Sequence, residues 1–217
     1  MIAYWALIIL IPFILSLFFF PDKELNMIKV VGFNGSPRKD GNTYLLIKEV
    51  FAELEKEGIQ TELMDLAGKT LHGCIACYKC LENQDHRCAV HDDINICIEK
   101  MEEAQGIILG SPTYFTDVSA EMKALIDRAG MVAKVNGNML RLKTGAGVVA
   151  VRRAGGIHAF DTLNHFFLIS QMIIPGSTYW NVGIGREKGD VLHDEEGLLT
   201  MKNLGQSMAY VLKKIHS

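Results

Sequence analysis

The chain has 217 residues, 49% hydrophobic and 22% charged, a balance that suits one globular domain with a well-buried core. A net charge of −3 and the lack of any lysine- or arginine-rich run interleaved with aromatics argue against nucleic acid as a partner. Five cysteines, an odd number with four bunched together, argue against a disulfide scaffold and favour reduced thiols in the cytoplasm.

The amino terminus departs from this balance. Ile2 to Phe20 is apolar apart from Pro12 and Ser16, and no charged side chain precedes Asp22. Such a stretch reaches roughly 28 Å as a helix, against a hydrocarbon core of about 30 Å. Three readings stand. A membrane anchor would leave the domain on the cytoplasmic side, because Lys23, Lys29, Arg38 and Lys39 follow it. A secretory signal lacks both a basic leading region and a small-residue cleavage site. The third reading is a misassigned start, with the folded domain covering residues 27–217. A membrane is a partner only under the first.

Met27 to Phe33 is a continuous apolar run rich in β-branched residues and closed by Asn34-Gly-Ser-Pro, the pattern of a strand buried on both faces. Leu45, Ile47, Val50, Phe51 and Leu54 then recur at helical spacing, with Lys48, Glu53, Glu55 and Lys56 toward water and Gly58 as the stop. Ile59 to Leu66 alternates like a strand. A cysteine-rich loop, residues 71–91, follows as an insertion after strand 2, and Asp92 or Asp93 caps a helix to about Glu103. Gly106 to Gly110 is the third strand. Asp117 or Ser119 opens a helix with Met122, Leu125 and Ile126 on one face, Glu121, Lys123, Asp127 and Arg128 near the other, and Gly130 as its end. Gly145 to Val151 is a strand, Phe160 to Ser170 a helix, Met172 to Pro175 the fifth strand. Residues 176–197 read as an irregular excursion. The last helix runs from about Leu198 to Ile215, with Leu199, Leu204, Met208, Val211 and Leu212 as its buried stripe. This alternation predicts an α/β fold: a doubly wound, five-stranded parallel sheet, flavodoxin-like if its order is 2-1-3-4-5.

In such a sheet the ligand crevice forms beyond the carboxyl ends of the strands, where three loops converge. The first, Asn34 to Thr43, offers the hydroxyls of Ser36 and Thr43, the Asn42 amide, the Arg38 guanidinium and the N–H groups of a helix start, a set suited to a terminal phosphate. It is neither a nucleotide-hydrolase loop, which requires a lysine, nor a G-x-G-x-x-G loop; its plain alternative is a turn with a helix cap. The second loop, Ser111 to Phe115, sets two aromatics beside mostly backbone polarity, as a flat heteroaromatic ring requires, or as plain packing would. The third, Arg152 to His158, has glycines that permit close approach and an arginine, Arg153 or Arg152, for negative charge on a ring.

Cys74, Cys77 and Cys80 lie on a C-x2-C-x2-C frame and Cys88 follows. Three cysteines at overlapping spacing wrap one face of an iron–sulfur cube, whereas zinc usually takes two separated pairs; unmetallated thiols are the third reading. Cys97 reads as a small buried hydrophobe, and His72, His86 and His91 as surface groups beside the segment.

Together, G-S-P-R-x-x-G-N-T at 35–43, the four cysteines, S-P-T-Y-F at 111–115 and R-x-G-G at 153–156 resemble the NADPH-dependent FMN reductase family of flavodoxin-like proteins, in its iron–sulfur flavoprotein branch. The resemblance covers about residues 27–217. It implies FMN, with Ser36, Arg38, Asn42 and Thr43 near the phosphate and Pro112, Thr113, Tyr114, Phe115, Arg153, Gly155 and Gly156 near the ring. It also implies a [4Fe–4S] cluster on Cys74, Cys77, Cys80 and Cys88, and a homo-oligomer in which the cluster of one subunit approaches the flavin of another. The expected function is electron transfer from NADH, NADPH or a ferredoxin, through FMN and the cluster, to a small-molecule or protein acceptor. Without a cluster the same site would be a flavin or quinone reductase, and the reading from another class is a non-catalytic metal-binding module.

Overall fold

The computed structural model describes residues 27–216. Five parallel strands, β1 (Lys29–Asn34), β2 (Gln60–Asp65), β3 (Gly106–Pro112), β4 (Thr144–Val151) and β5 (Val182–Ile184), form one sheet in the order β2-β1-β3-β4-β5, the expected flavodoxin-like order. The helices are α1 (Asn42–Lys56), α2 (Lys79–Asn83), α3 (Ile94–Glu103), α4 (Ala120–Val135), α5 (Gly156–Ile169) and α6 (Glu195–His216), with a 3-10 turn at Asp190–His193. Alternate residues of the central strands enter opposite cores. Val31, Phe33, Ile107, Leu109 and Val149 join side chains of α3, α4 and α5, while Val30, Ile108, Ala146 and Val148 join those of α1 and α6. Both faces are therefore covered, which is why these strands read as unbroken apolar runs.

The fifth strand lies elsewhere than expected. Of Met172 to Pro175 only Ile173 pairs with the sheet, through a bridge to Thr144, and Val182–Ile184 pairs with Val149–Val151 instead. The β4 edge is thus covered in two pieces. Pro175 has no N–H with which to continue a ladder, and Asn181 re-enters it: its Nδ2 donates to the Gly147 carbonyl at 3.0 Å and its carbonyl accepts from the Val149 N–H at 2.9 Å.

Helix α4 continues past Gly130 to Val135 because that glycine packs rather than stops; a β-carbon there would sit 3.4 Å from the Phe166 ring of α5. Ser119 caps α4, accepting from the Met122 N–H at 3.2 Å. Arg128, expected near the polar face of α4, is fully buried. Glu53, expected to face water, is buried against α6, where it accepts from Gln206 Nε2 at 3.1 Å and pairs with Lys56. Leu199, expected in the buried stripe of α6, is exposed, and Thr200, Met201 and Ala209 join Leu204, Met208 and Leu212 there. Cys97 is buried, and burial pushes its thiol up to about 11. Among the described residues no helix is long and apolar enough to cross a membrane, and the apolar stretch at residues 2–20 lies outside them.

Helices α1 and α6 meet at Gly205, where a β-carbon would lie 2.7 Å from Glu53 Cβ and 2.8 Å from the Val50 carbonyl oxygen. The second contact is with backbone, so the helices must separate to relieve it. Gly205→Ala is expected to destabilise the fold by about 1–3 kcal/mol, the scale of overpacking, despite the better helix propensity of alanine. Thermal unfolding checks this, with a fall of about 2–4 °C per kcal/mol at this chain length.

Candidate functional site

The loop after β1 is held in place by its own first residues. Asn34 is buried, donates from Nδ2 to Asp65 Oδ1 at 2.8 Å and accepts from the Ser36 N–H at 3.1 Å; the Gly35 N–H donates to the Gly110 carbonyl at 2.8 Å. Ser36 Oγ accepts from the Arg38 N–H at 3.2 Å. Helix α1 then begins after Gly41, which supplies no side-chain cap, so the N–H groups of its first turn face the crevice end of the sheet. The close seat of this helix start depends on Gly110: a β-carbon there would lie 2.5 Å from Ile47 and 3.1 Å from Thr43.

The second loop leaves β3 on fixed supports. The Thr113 N–H donates to the Ala150 carbonyl at 2.9 Å, and Ser111 Oγ accepts from the Ser119 N–H at 2.9 Å. Tyr114 and Asp117 then exchange two backbone hydrogen bonds, 2.8 and 3.0 Å, across Phe115 and Thr116, which have φ of 47° and 69°. Two consecutive positive φ values make this a tight mirror-image turn, normally the place of Asn-Gly, and it carries a phenylalanine and a β-branched threonine instead. Phe115 stands fully in solvent at its tip. At the base of the turn the Asp117 carboxylate is held below its usual range: burial opposes this, but the Thr162 hydroxyl and the Val118 N–H outweigh it.

These loops enclose a cleft of about 340 Å3. Ser36, Arg38, Asn42 and Thr43 line one side, Pro112, Thr113, Tyr114 and Ala150 another, and Arg152, Gly185, Arg186 and Glu187 complete it. Phe115, Arg153, Gly155 and Gly156, expected beside the ring, do not line it. Gly155, at φ 87°, instead allows the third loop to close on the second, since a β-carbon there would lie 3.0 Å from Thr116; one on Gly156 would meet Val182 and Val151. Asn42 lines the cleft with its amide already engaged: Nδ2 donates to the Glu187 carbonyl at 2.8 Å, and Oδ1 accepts from the Gly189 N–H at 2.8 Å. Arg38 Nη1 likewise donates to the Arg186 carbonyl at 3.0 Å. Residues 185–189 are thus a fourth loop of the site, inside the stretch read from sequence as irregular. The signal that could have found them is the short β-branched run Val182-Gly-Ile184 before a glycine and an arginine.

The four cysteines line a second pocket, of about 220 Å3, between the 66–93 segment and α4. Cys74 and Cys77 are exposed, Cys80 is buried on α2 and Cys88 is half-buried. Burial, with a smaller contribution from Cys88, pushes the Cys80 thiol up. Ala76 and Tyr78, either side of Cys77, have φ of 51° and 57°, and the Ala76 N–H points to Cys74 Sγ at 3.5 Å. Backbone of this kind turns N–H groups toward anionic sulfur. Among the described residues no three His, Cys, Asp or Glu side chains close to the spacing of a single metal ion. Four thiols around one pocket are a donor set that an iron–sulfur cluster can take. His72 and His86 are engaged with Asp92 and Glu102.

Sequence reasoning read Asp92 only as a cap and Arg128 only as surface. Their pair is buried, and Arg128 donates from Nε to Cys88 Sγ at 3.2 Å. Burial opposes ionisation of Asp92, but Arg128 and the N–H groups of His72 and Ile94 hold its carboxyl below the usual range.

Residues 28–187 match the NADPH-dependent FMN reductase family. An iron–sulfur flavoprotein of Methanocaldococcus jannaschii is 42% identical over 195 residues, 87% of this chain and 99% of the relative. An iron–sulfur flavoprotein of Methanosarcina thermophila is 29% identical over 190 residues, 87% of this chain and 97% of the relative. Among solved structures, RosB with bound 8-demethyl-8-formylriboflavin-5'-phosphate superposes with a TM-score of 0.68 at 16% identity, over 87% of this chain and 80% of that one. An NAD(P)H:quinone oxidoreductase from Methanothermobacter marburgensis superposes with a TM-score of 0.61 at 13% identity, over 84% of this chain and 99% of that one. The two structural likenesses establish the fold; the family match and the 42% relative establish that the chain belongs to the NADPH-dependent FMN reductase family.

Proposed function

We propose that the cleft binds FMN, that Cys74, Cys77, Cys80 and Cys88 hold a [4Fe–4S] cluster, and that the protein passes electrons between a reduced donor, NAD(P)H or a ferredoxin, and an acceptor. Family membership makes it an FMN-dependent oxidoreductase. The observation that carries it is the division of the cleft into two chemistries. One end gathers Ser36, Arg38, Thr43 and an uncapped helix start, which suit a phosphate; the other is a wall of Pro112, Thr113 and Tyr114, which suits a flat ring. When bound, FMN supplies the exchange between two-electron and one-electron chemistry and a cluster supplies one-electron storage.

The residues of the chain bind, orient and shield. The first turn of α1 and Arg38 offset the phosphate charge. Thr113, fixed by its bond to Ala150, and Tyr114 set the plane of the ring wall, and Arg152 offers a positive charge at the same cleft. Asn42 does not reach a ligand with a free amide; it holds residues 187–189 against the helix start and so shapes the cleft. The cleft and the cysteine pocket share no lining residue, which supports the proposal that a second copy of the chain brings the two together in a homo-oligomer. The set of reduced thiols supports a cytoplasmic domain.

Ser36→Ala with Thr43→Ala is expected to weaken FMN retention by well over tenfold, each hydroxyl contributing a charge-assisted bond of about 1.5–3 kcal/mol. Flavin per folded subunit measures it, and unchanged content would remove these residues from the phosphate site. Replacing Phe115 and Thr116 by Asn-Gly relieves two left-handed residues, each worth about 1–3 kcal/mol of strain, so the melting temperature should rise. If the strained turn serves the reaction, turnover falls in the same variant; steady-state rates with NADPH and a quinone decide this. Alanine at any of Cys74, Cys77, Cys80 or Cys88 should abolish or strongly destabilise the cluster, and Cys97→Ala should leave it intact because that thiol is buried away from the pocket. All five variants should keep FMN. Iron and acid-labile sulfide per subunit after anaerobic reconstitution are the measurement; if wild type holds neither, the cluster-free flavin or quinone reductase replaces the electron relay.

A further inference from the structure

We infer that Arg128 is a positioning residue for the cysteine site, fixing Cys88 and raising the reduction potential of a cluster held there. This rests on the cluster proposed above. Arg128 lies in α4 with its side chain fully out of solvent. Its donors go to four acceptors, all in the segment that carries the cysteines. Nε donates to Cys88 Sγ at 3.2 Å, Nη1 to the His72 carbonyl at 3.2 Å and to the Asp92 carboxylate, and Nη2 to the Val90 carbonyl at 2.8 Å. His72 stands two residues before the first cysteine and Val90 two after the last, so one rigid fork ties both ends of the cysteine segment to α4. Asn95 adds a second brace at the same place, accepting from the Cys88 N–H at 2.7 Å and donating to the Cys88 carbonyl at 3.0 Å.

Pairing with Asp92 alone would satisfy the buried charge. The Nε–H aimed at sulfur goes beyond that need, and its strength grows with the negative charge on the sulfur. One-electron reduction of a cluster adds one negative charge shared among its sulfurs and moves no proton, the electron coming from reduced flavin or, in a titration, from a chemical reductant. A cationic donor on Cys88 therefore favours the reduced form, as hydrogen bonds to ligating sulfurs do generally. Lysine keeps the charge but concentrates its donors on one nitrogen, which cannot serve Asp92, two carbonyls and a sulfur at once.

The test is a mediated potentiometric titration, read by EPR and visible absorption, of full-length protein reconstituted anaerobically with iron and sulfide. Arg128→Lys should hold iron and sulfide as wild type does, yet at the wild-type midpoint its reduced-to-oxidised ratio should be at least tenfold lower, about 59 mV for a one-electron couple. The flavin midpoint should not move. If Arg128→Lys does not fold, Arg128→Gln with Asp92→Asn, which replaces the buried ion pair by two neutral amides, should show the same displacement. A cluster potential equal to wild type in the folded variant overturns the inference and leaves the cluster proposal standing. Equal displacement of flavin and cluster overturns it too, as a general loosening. Wild type without iron and sulfide after reconstitution overturns both.

Discussion

Burial of a parallel sheet on both faces decides where this protein can place reactive groups. With α1 and α6 on one side and α3, α4 and α5 on the other, no polar group is accommodated in the middle of the central strands, so reactive chemistry is confined to the loops at their carboxyl ends. The sheet also fixes how closely those loops approach. Gly110 admits the start of α1 to within contact of β3, and the phosphate-type loop lies directly above that contact, clipped by Gly35 to the Gly110 carbonyl. The cleft is therefore a product of packing beneath it as much as of the residues that line it.

The cysteine segment follows a different logic. It has only one short helix and buries few apolar side chains, Leu66 and Cys80 among them, while Ile75, Tyr78 and Leu81 stay exposed, so burial alone does not hold its shape. A guanidinium placed from α4 does that instead, together with Asn95 and the Asp92 carboxylate. A buried ion pair of this kind contributes little net stability against an apolar replacement, and its usual return is a fixed geometry. The cost of desolvating Arg128 is offset by four hydrogen bonds to one loop, which is why the pocket can be shaped before anything enters it.

Much of the fold was legible because its signals are local. The β-branched runs at β1 and β3, the helical period of α1 and the Ser119 cap each carry their own physics, and the alternation of strands and helices implied a doubly wound parallel sheet. Misreadings arose where a distant partner overrides local pattern. Met172 to Pro175 is strand-like in isolation, but the edge of β4 is taken by Asn181 to Ile184. Gly130 resembles a stop and is a packing contact with Phe166. Arg128 and Glu53 are charged residues whose partners lie far away in sequence, so hydropathy assigned them to solvent. In the site, Ser36, Arg38, Thr43 and Pro112 to Tyr114 do line one cleft, and the four cysteines do line one pocket. Arg186 and Glu187 escaped notice because their contribution passes through backbone carbonyls, which any residue type supplies.

The clamp formed by Asn42 gives the cleft a built-in reporter. The Gly189 N–H donates to Asn42 Oδ1, and Asn42 is the first residue of the helix whose start faces the cleft, so opening of residues 185–189 breaks the side-chain bonds that tie them to that helix start. Deuterium uptake at Gly189 then measures the local free energy of the cleft itself, independent of global unfolding. A ligand seated at the helix start slows that uptake by about the ratio of its concentration to its dissociation constant, which makes a single backbone amide a gauge of cleft occupancy.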